Sequence, residues 1–251
     1  MVSSARPVSR STCASIDDST LEGKASPLEA IFFIVIVYIN LIIMPSSSSD
    51  QFSTRELSGE TWSDFEKLFR RQGYVGDGWW CWCTFHHVSS FSTPEHQQPR
   101  TRPERAERNH EKKEKLVMSD CAHGILVYAN GEPVGWCQYG PREELPRVDN
   151  TIRYRKLALE NGSEKLWRIT CFVVDSKYRG RGVASAGLKA ALAAIKRRGG
   201  GLVEAYPVSK TDQGANYHYC GTVSMFEKAG FRTVAPFAQG RTSTVVMRKS
   251  V

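Results

Sequence analysis

The stretch Cys171-Phe172-Val173-Val174-Asp175-Ser176-Lys177-Tyr178-Arg179-Gly180-Arg181-Gly182-Val183-Ala184 decides the reading of this chain. A largely apolar, β-rich run from Trp167 to Val174 enters a loop with two glycines and two arginines. Helical spacing begins at once, with Val183, Leu188, Ala191, Leu192 and Ile195 on one face. Such a turn aims several backbone N–H groups at one point, and the positive end of the helix dipole adds to them. Gly180 and Gly182 let the backbone approach an anion closely. The physical reading is a pyrophosphate site at a helix N-terminus; the plainer alternative is a basic turn that only joins strand to helix. A dinucleotide-binding fingerprint needs a third glycine in register, where Ala184 stands. A phosphate loop of the Gly-Lys-Ser/Thr kind is absent from the stretch.

Working outward, Trp62, Phe65, Leu68 and Phe69 have helical spacing, with Thr61 or Ser63 as cap and Gly73 as stop. Glu104 to Leu116 carries charge of both signs and reads as a solvated helix. Ile125–Tyr128 is a strand, Asn130-Gly131 a hairpin turn, and Pro133–Cys137 the returning strand. Residues 141–164 form a polar insertion. After the helix from Val183 to Lys196, Gly199-Gly200-Gly201 stops it and Leu202–Tyr206 is a strand ended by Pro207. Val223–Ala229 reads as a short helix before Gly230, and Phe231–Ala235 and Thr242–Met247 as two last strands. The order is that of an α/β domain around a mixed sheet.

This pattern resembles the GNAT acetyltransferases. Arg179-Gly180-Arg181-Gly182-Val183-Ala184 matches that family's Gln/Arg-x-x-Gly-x-Gly/Ala signature behind an apolar strand. Ser224-Met225-Phe226-Glu227-Lys228-Ala229-Gly230-Phe231 resembles its later helix and Gly-Phe strand start. The Val127–Trp136 hairpin sits where the family has its second and third strands, and the resemblance covers residues 52–250. It implies the acyl-CoA N-acyltransferase fold, a mixed central sheet flanked by helices, with acetyl-CoA as co-substrate. Backbone groups of Phe172, Val173 and Val174 would pair with the pantetheine arm. The amides of Gly180, Arg181, Gly182, Val183, Ala184 and Ser185 would hold the pyrophosphate, with charge from Arg179 and Arg181.

The same resemblance implies an N-acetyltransferase in which an amine attacks the thioester directly, so no Cys or Ser nucleophile is required. The acceptor is expected to be a small amine or amino compound. Where the family often has a tyrosine as general acid, this chain has Phe226, and where it has an asparagine seven residues earlier, Tyr219. Glu204 is the candidate base, or else a strand-edge carboxylate in solvent. Tyr219 and Ser224 are candidate proton donors, with Tyr206, Tyr217 and His218 behind them. The substitution at Phe226 keeps open a rival, an acyl-CoA-binding module or sensor with weak or no catalysis.

Composition narrows the classes. The chain has 251 residues, 41% hydrophobic and 24% charged, as in an ordinary globular protein. The net charge of +8 suits an anionic cofactor. Without a basic stripe interleaved with aromatics, nucleic acid is not the expected partner. Seven scattered cysteines make no disulfide framework and suit a reducing, cytoplasmic setting. Cys81-Trp82-Cys83 with His86 and His87 is too tightly spaced for a zinc site, so no metal is expected. That tract, with Trp79 and Trp80, is expected to line the core or the acceptor pocket, and Cys137, Cys171 and Cys220 to be buried thiols.

Residues 1–49 are expected to be a disordered leader and 50–251 the acetyltransferase domain. The leader contains an apolar run from Ile31 to Met44, shorter than the ~20 residues of a membrane helix. It reads as a start extended upstream of Met44, a self-associating helix, or an anchor through 28–44. A homodimer stays open.

Overall fold

The computed structural model describes residues 52–71, 81–89, 101–160, 162–212, 218–238 and 241–251. The leader, Gly73, Trp79, Trp80 and Tyr217 lie outside them. Eight strands form one sheet in the order β1-β2-β3-β4-β5-β8-β6, with β7 also on β8. They are β1 (Ser53–Glu56), β2 (Gly124–Ala129), β3 (Glu132–Pro141), β4 (Leu166–Val174), β5 (Leu202–Ala205), β6 (Val208–Thr211), β7 (Arg232–Ala238) and β8 (Thr242–Ser250). The helices are α1 (Trp62–Arg71), α2 (Arg102–Met118), α3 (Ile152–Lys156), α4 (Val183–Arg197) and α5 (Val223–Lys228). β1 to β4 pair antiparallel in succession, β4 and β5 pair parallel, and β8 pairs antiparallel with β5, β6 and β7.

Alternation along the strands sorts the core into two faces. Ile125, Val127 and Cys137 pack toward Val183, Leu188, Ala191 and Ile195 of α4. Leu126, Tyr128 and Trp136 pack toward Trp62, Phe65 and Phe69 of α1. The aromatic layer under α1 is continuous: the Phe65 and Phe69 rings stack at 4.1 Å, and Trp136 meets Phe65 edge-on at 4.9 Å.

The hairpin turn has the expected left-handed backbone, with φ of 51° at Asn130 and 79° at Gly131. Two strands were not expected. β1 is a polar edge strand on β2, and β6 resumes right after Pro207. The solvated helix expected at 104–116 forms as α2, with one face turned inward that buries Asn109 and Lys113, and Val117 just beyond. The tract 81–89 is a turn followed by a short 3-10 helix at Phe85–His87.

Two features set the site. A β-carbon added at Gly135 of β3 would meet Val183 Cγ1 at 2.2 Å, so only glycine lets the start of α4 lie this close to the sheet. On the other side, β4 pairs with β5 only from Leu166 to Ile169. Beyond that point β4 runs on to Val174 without β5, leaving one edge open to a cleft.

Candidate active site

The cleft, about 450 Å³, lies between the edge of β4 beyond its pairing with β5, the loop into α4, and the segment 218–225. The geometry of the cleft follows from the loop. Asp175 accepts from the Lys177 N–H at 3.0 Å and starts a 3-10 turn, Ser176–Tyr178. Gly180 and Gly182 then take φ of 76° and 92°. An added β-carbon at either would meet nothing within 4 Å, so these glycines serve backbone conformation and leave space open. The first intrahelical bond of α4 is Ala186 N–H to the Gly182 carbonyl, at 2.9 Å. The N–H groups just before it are those a helix leaves for a ligand. Arg179 lines the cleft, while the Arg181 guanidinium lies 5.5 Å over the Tyr178 ring.

Of the residues expected to bind cofactor, Phe172, Val174, Arg179, Gly180, Gly182, Val183, Ala184 and Ser185 line this cleft. Val173 does not. Its side chain is buried on the α1 face, and its backbone, alternating with that of Phe172, faces β3 opposite Trp136. The cleft edge of β4 is partly engaged by the chain itself. Phe172 N–H donates to the Tyr219 carbonyl at 2.6 Å, and Arg179 Nε donates to the Val174 carbonyl at 3.4 Å.

The candidate proton-transfer residues separate. Tyr219 lines the cleft, and its phenol is pushed up by the neighbouring Cys220 thiol and then by burial. His218 lines it too, with a buried Nδ1 that has no hydrogen-bond partner among the described residues. Ser224 is exposed on α5 outside the cleft lining, with Oγ 3.3 Å from Thr222 Oγ1. Phe226 is fully buried, edge-on to Phe172 and Phe231.

Glu204 fits neither reading given to it. It is fully buried and accepts from Tyr154 Oη at 2.7 Å, from Tyr206 Oη, and from Arg248 Nε at 2.8 Å and Nη2 at 2.7 Å. A carboxylate held by a guanidinium and two phenols has its lone pairs occupied. It stands outside the cleft lining. The geometry makes it a structural ion pair and not a base poised for an ammonium. Beside it, Arg168, also fully buried, pairs with Asp149 at 2.7 and 2.8 Å.

A second polar group lies between α2, the tract 81–89 and β4. Lys113, fully buried, hydrogen-bonds to His87 Nε2 at 3.2 Å. Gln138 donates to the same nitrogen and to the Cys83 carbonyl, and Thr170 donates to Gln138 Oε1 at 2.9 Å. Burial lowers Lys113 to about 8 and His86 to about 3. Thr170 is the extra residue where β4 bulges opposite Gln138 and Tyr139. Nothing in the sequence pattern announces this group, because its members come from four separate segments.

The sequence matches the Acetyltransferase (GNAT) family over residues 84–231, more than half of the chain. The chain belongs to this GNAT family. Its members take their acyl group from acyl-CoA. No curated protein matches it significantly by sequence. Among solved structures it is similar to a GNAT-family acetyltransferase from Streptococcus pneumoniae, at 14% identity, covering 80% of this chain and 99% of that one, TM-score 0.43. It is also similar to a ribosomal-protein-alanine N-acetyltransferase from Brucella melitensis, at 14% identity, covering 79% and 99%, TM-score 0.45. The GNAT assignment rests on the family match. Within this GNAT chain no group of three or more metal-ligating side chains occurs among the described residues, and no described helix is long and apolar enough to cross a membrane.

Proposed function

We propose that the chain is an acetyl-CoA-dependent N-acetyltransferase that acylates a small amine by direct attack in a ternary complex. The observation that carries this is the meeting, in one cleft, of the open N-terminus of α4 and the edge of β4 beyond its pairing with β5. The α4 amides and Arg179 suit a pyrophosphate. The cleft-facing backbone of Phe172 and Val174 suits an amide-bearing arm laid alongside as an added strand. The fit requires the Tyr219 carbonyl to leave Phe172 N–H, which then becomes free to polarise a carbonyl.

Acetyl-CoA supplies an activated acyl group. The protein's part is to align it with a neutral amine, whose nitrogen forms the new bond as the C–S bond breaks. Among the described residues that line the cleft, His218, Tyr219 and Tyr178 are ionisable side chains available to move the protons. Phe226, sealed in the core, leaves a second reading in view: a GNAT-fold module that binds acyl-CoA but turns it over slowly.

Turnover separates the two. The full chain, incubated with acetyl-CoA and a pooled amine and metabolite extract, should release CoA and form a new acetylated species detectable by mass spectrometry. Tight CoA binding with intact acetyl-CoA across such pools would favour the binding module, and no CoA binding would remove both.

A further inference from the structure

We propose that Cys83 and Cys171 form a reversible disulfide that fastens the tract 81–89 to the strand lining the cofactor cleft. The two sulfurs, 88 positions apart in sequence, stand 3.3 Å apart in the interior. They are not an isolated pair. Cys81 starts the turn that carries Cys83, and its contact with Cys83 together with burial pushes its thiol up. Cys83 and Cys171 both pack on the α1 face of the sheet, while Cys137 packs on the α4 face.

A separate observation is the backbone that presents Cys83. Trp82 and Cys83 both take left-handed conformations, with φ of 42° and 45°. Neither is a glycine, and such strain persists only where surroundings enforce it. Here the turn is closed by Thr84, whose N–H and Oγ1 each bond to the Cys81 carbonyl at 2.7 Å. Trp82 stacks on the Phe69 ring at 5.6 Å, and the Arg70 guanidinium also lies over the indole. The Cys83 carbonyl is held by Gln138 at 2.7 Å. The strained turn delivers the Cys83 thiol to Cys171.

The surroundings also supply a charge for the chemistry. Lys113 is buried beside these thiols, and the groups that favour its cation are Cys83 and Cys171 first, then Glu144. Burial pushes the Cys83 thiol up, and Lys113 works the other way. The oxidant is hydrogen peroxide, and Cys81 at the start of the turn is partly exposed. One thiol gives up its proton and its sulfur attacks one peroxide oxygen; the O–O bond breaks, the departing hydroxide takes up that proton as water, and a sulfenic acid remains. The second thiol attacks that sulfur, the S–S bond forms, and a second water leaves. Two thiols have then lost two electrons and two protons to the peroxide. Closing to a bond of about 2.05 Å draws Cys171, and with it Phe172, toward the tract.

The test uses the full chain with Cys121→Ser, which removes an exposed thiol that would otherwise react. After hydrogen peroxide, unfolding and alkylation, a non-reduced peptide map should contain a Cys83–Cys171 cross-link. It should vanish on reduction with dithiothreitol and be absent from the Cys171→Ser chain. The Phe172 amide resonance should move on oxidation and return on reduction. Recovery of both Cys83 and Cys171 as alkylated thiols, while Cys81 is oxidised to sulfinic or sulfonic acid, would overturn the proposal. So would a dominant Cys81–Cys83 bond, or a cross-link that leaves the Phe172 amide unmoved.

Discussion

Phe172 and Tyr219 are joined backbone to backbone: the N–H that β4 presents to the cleft already has a carbonyl, at 2.6 Å. An acyl-CoA that pairs with β4 must compete for that N–H. Binding of CoA should therefore loosen the segment 218–222 while Phe172 stays protected. Amide hydrogen exchange by mass spectrometry checks this. Faster exchange at 218–222 with unchanged protection of β4 is expected, and slower exchange at 218–222 would mean that the ligand sits elsewhere.

Gly182 holds φ of 92° with open space before it. Gly182→Trp should abolish acetyl-CoA binding, because the indole fills the cleft at the helix N-terminus. The left-handed backbone also costs any side chain about 1–2 kcal/mol. Gly131→Trp shares the strain, at φ of 79° with nothing within 4 Å, but is in the remote hairpin. It should lose a similar amount of stability and keep its CoA affinity. Calorimetric titration of both variants separates blockage from strain.

Glu204→Gln removes the buried carboxylate that Arg248 and two phenols share. Removing one member of a buried pair costs about 3–5 kcal/mol. A marked fall in melting temperature is expected, with acetyl-CoA affinity within twofold of wild type. A fully stable variant with a changed pH–rate profile would restore Glu204 as a base.

Lys113 gives the folded chain a distinct alkaline response. Its ordinary value is 10.5, and burial lowers it to about 8. Below pH 8 folded and unfolded chains both hold the proton, and the folded chain bears the full cost of the buried charge. From about pH 8 to 10.5 the unfolded chain still holds it while the folded chain has released it, so this group's contribution to stability rises with pH. The shift corresponds to about 3 kcal/mol. Lys113→Met should melt higher than wild type at pH 7, and the gap should shrink by pH 10. A variant that melts lower at pH 7, with the gap unchanged at pH 10, would refute the assignment.

Periodic signals in the sequence were reliable where the physics is local. The Asn130-Gly131 turn, the apolar face of α4 and the strand into the Gly180–Gly182 loop can all be read from neighbours a few residues apart. β1 was missed because Ser53-Thr54-Arg55-Glu56 has no apolar alternation; an edge strand buries little, and its pairing with β2 is made by backbone alone. Lys113 was missed because a mixed-charge helix shows no sign of which lysine turns inward. Glu204 was misjudged because its partners Tyr154 and Arg248 are 50 and 44 positions away. Phe226 could be read as a lost phenol, but only the packing shows the ring sealed against Phe172 and Phe231.

The sheet is two antiparallel sets stitched together by the short parallel pairing of β4 with β5, four residue pairs long. The hairpins β2–β3 and β7–β8 can assemble from chain neighbours. The stitch cannot: it must wait until the whole α4 crossover has been laid against the sheet, since distant parallel partners are slow to meet. Refolding followed by pulsed exchange should thus protect β2 and β3 before Leu202–Ala205. The candidate cleft thus opens at the end of the pairing that closes last.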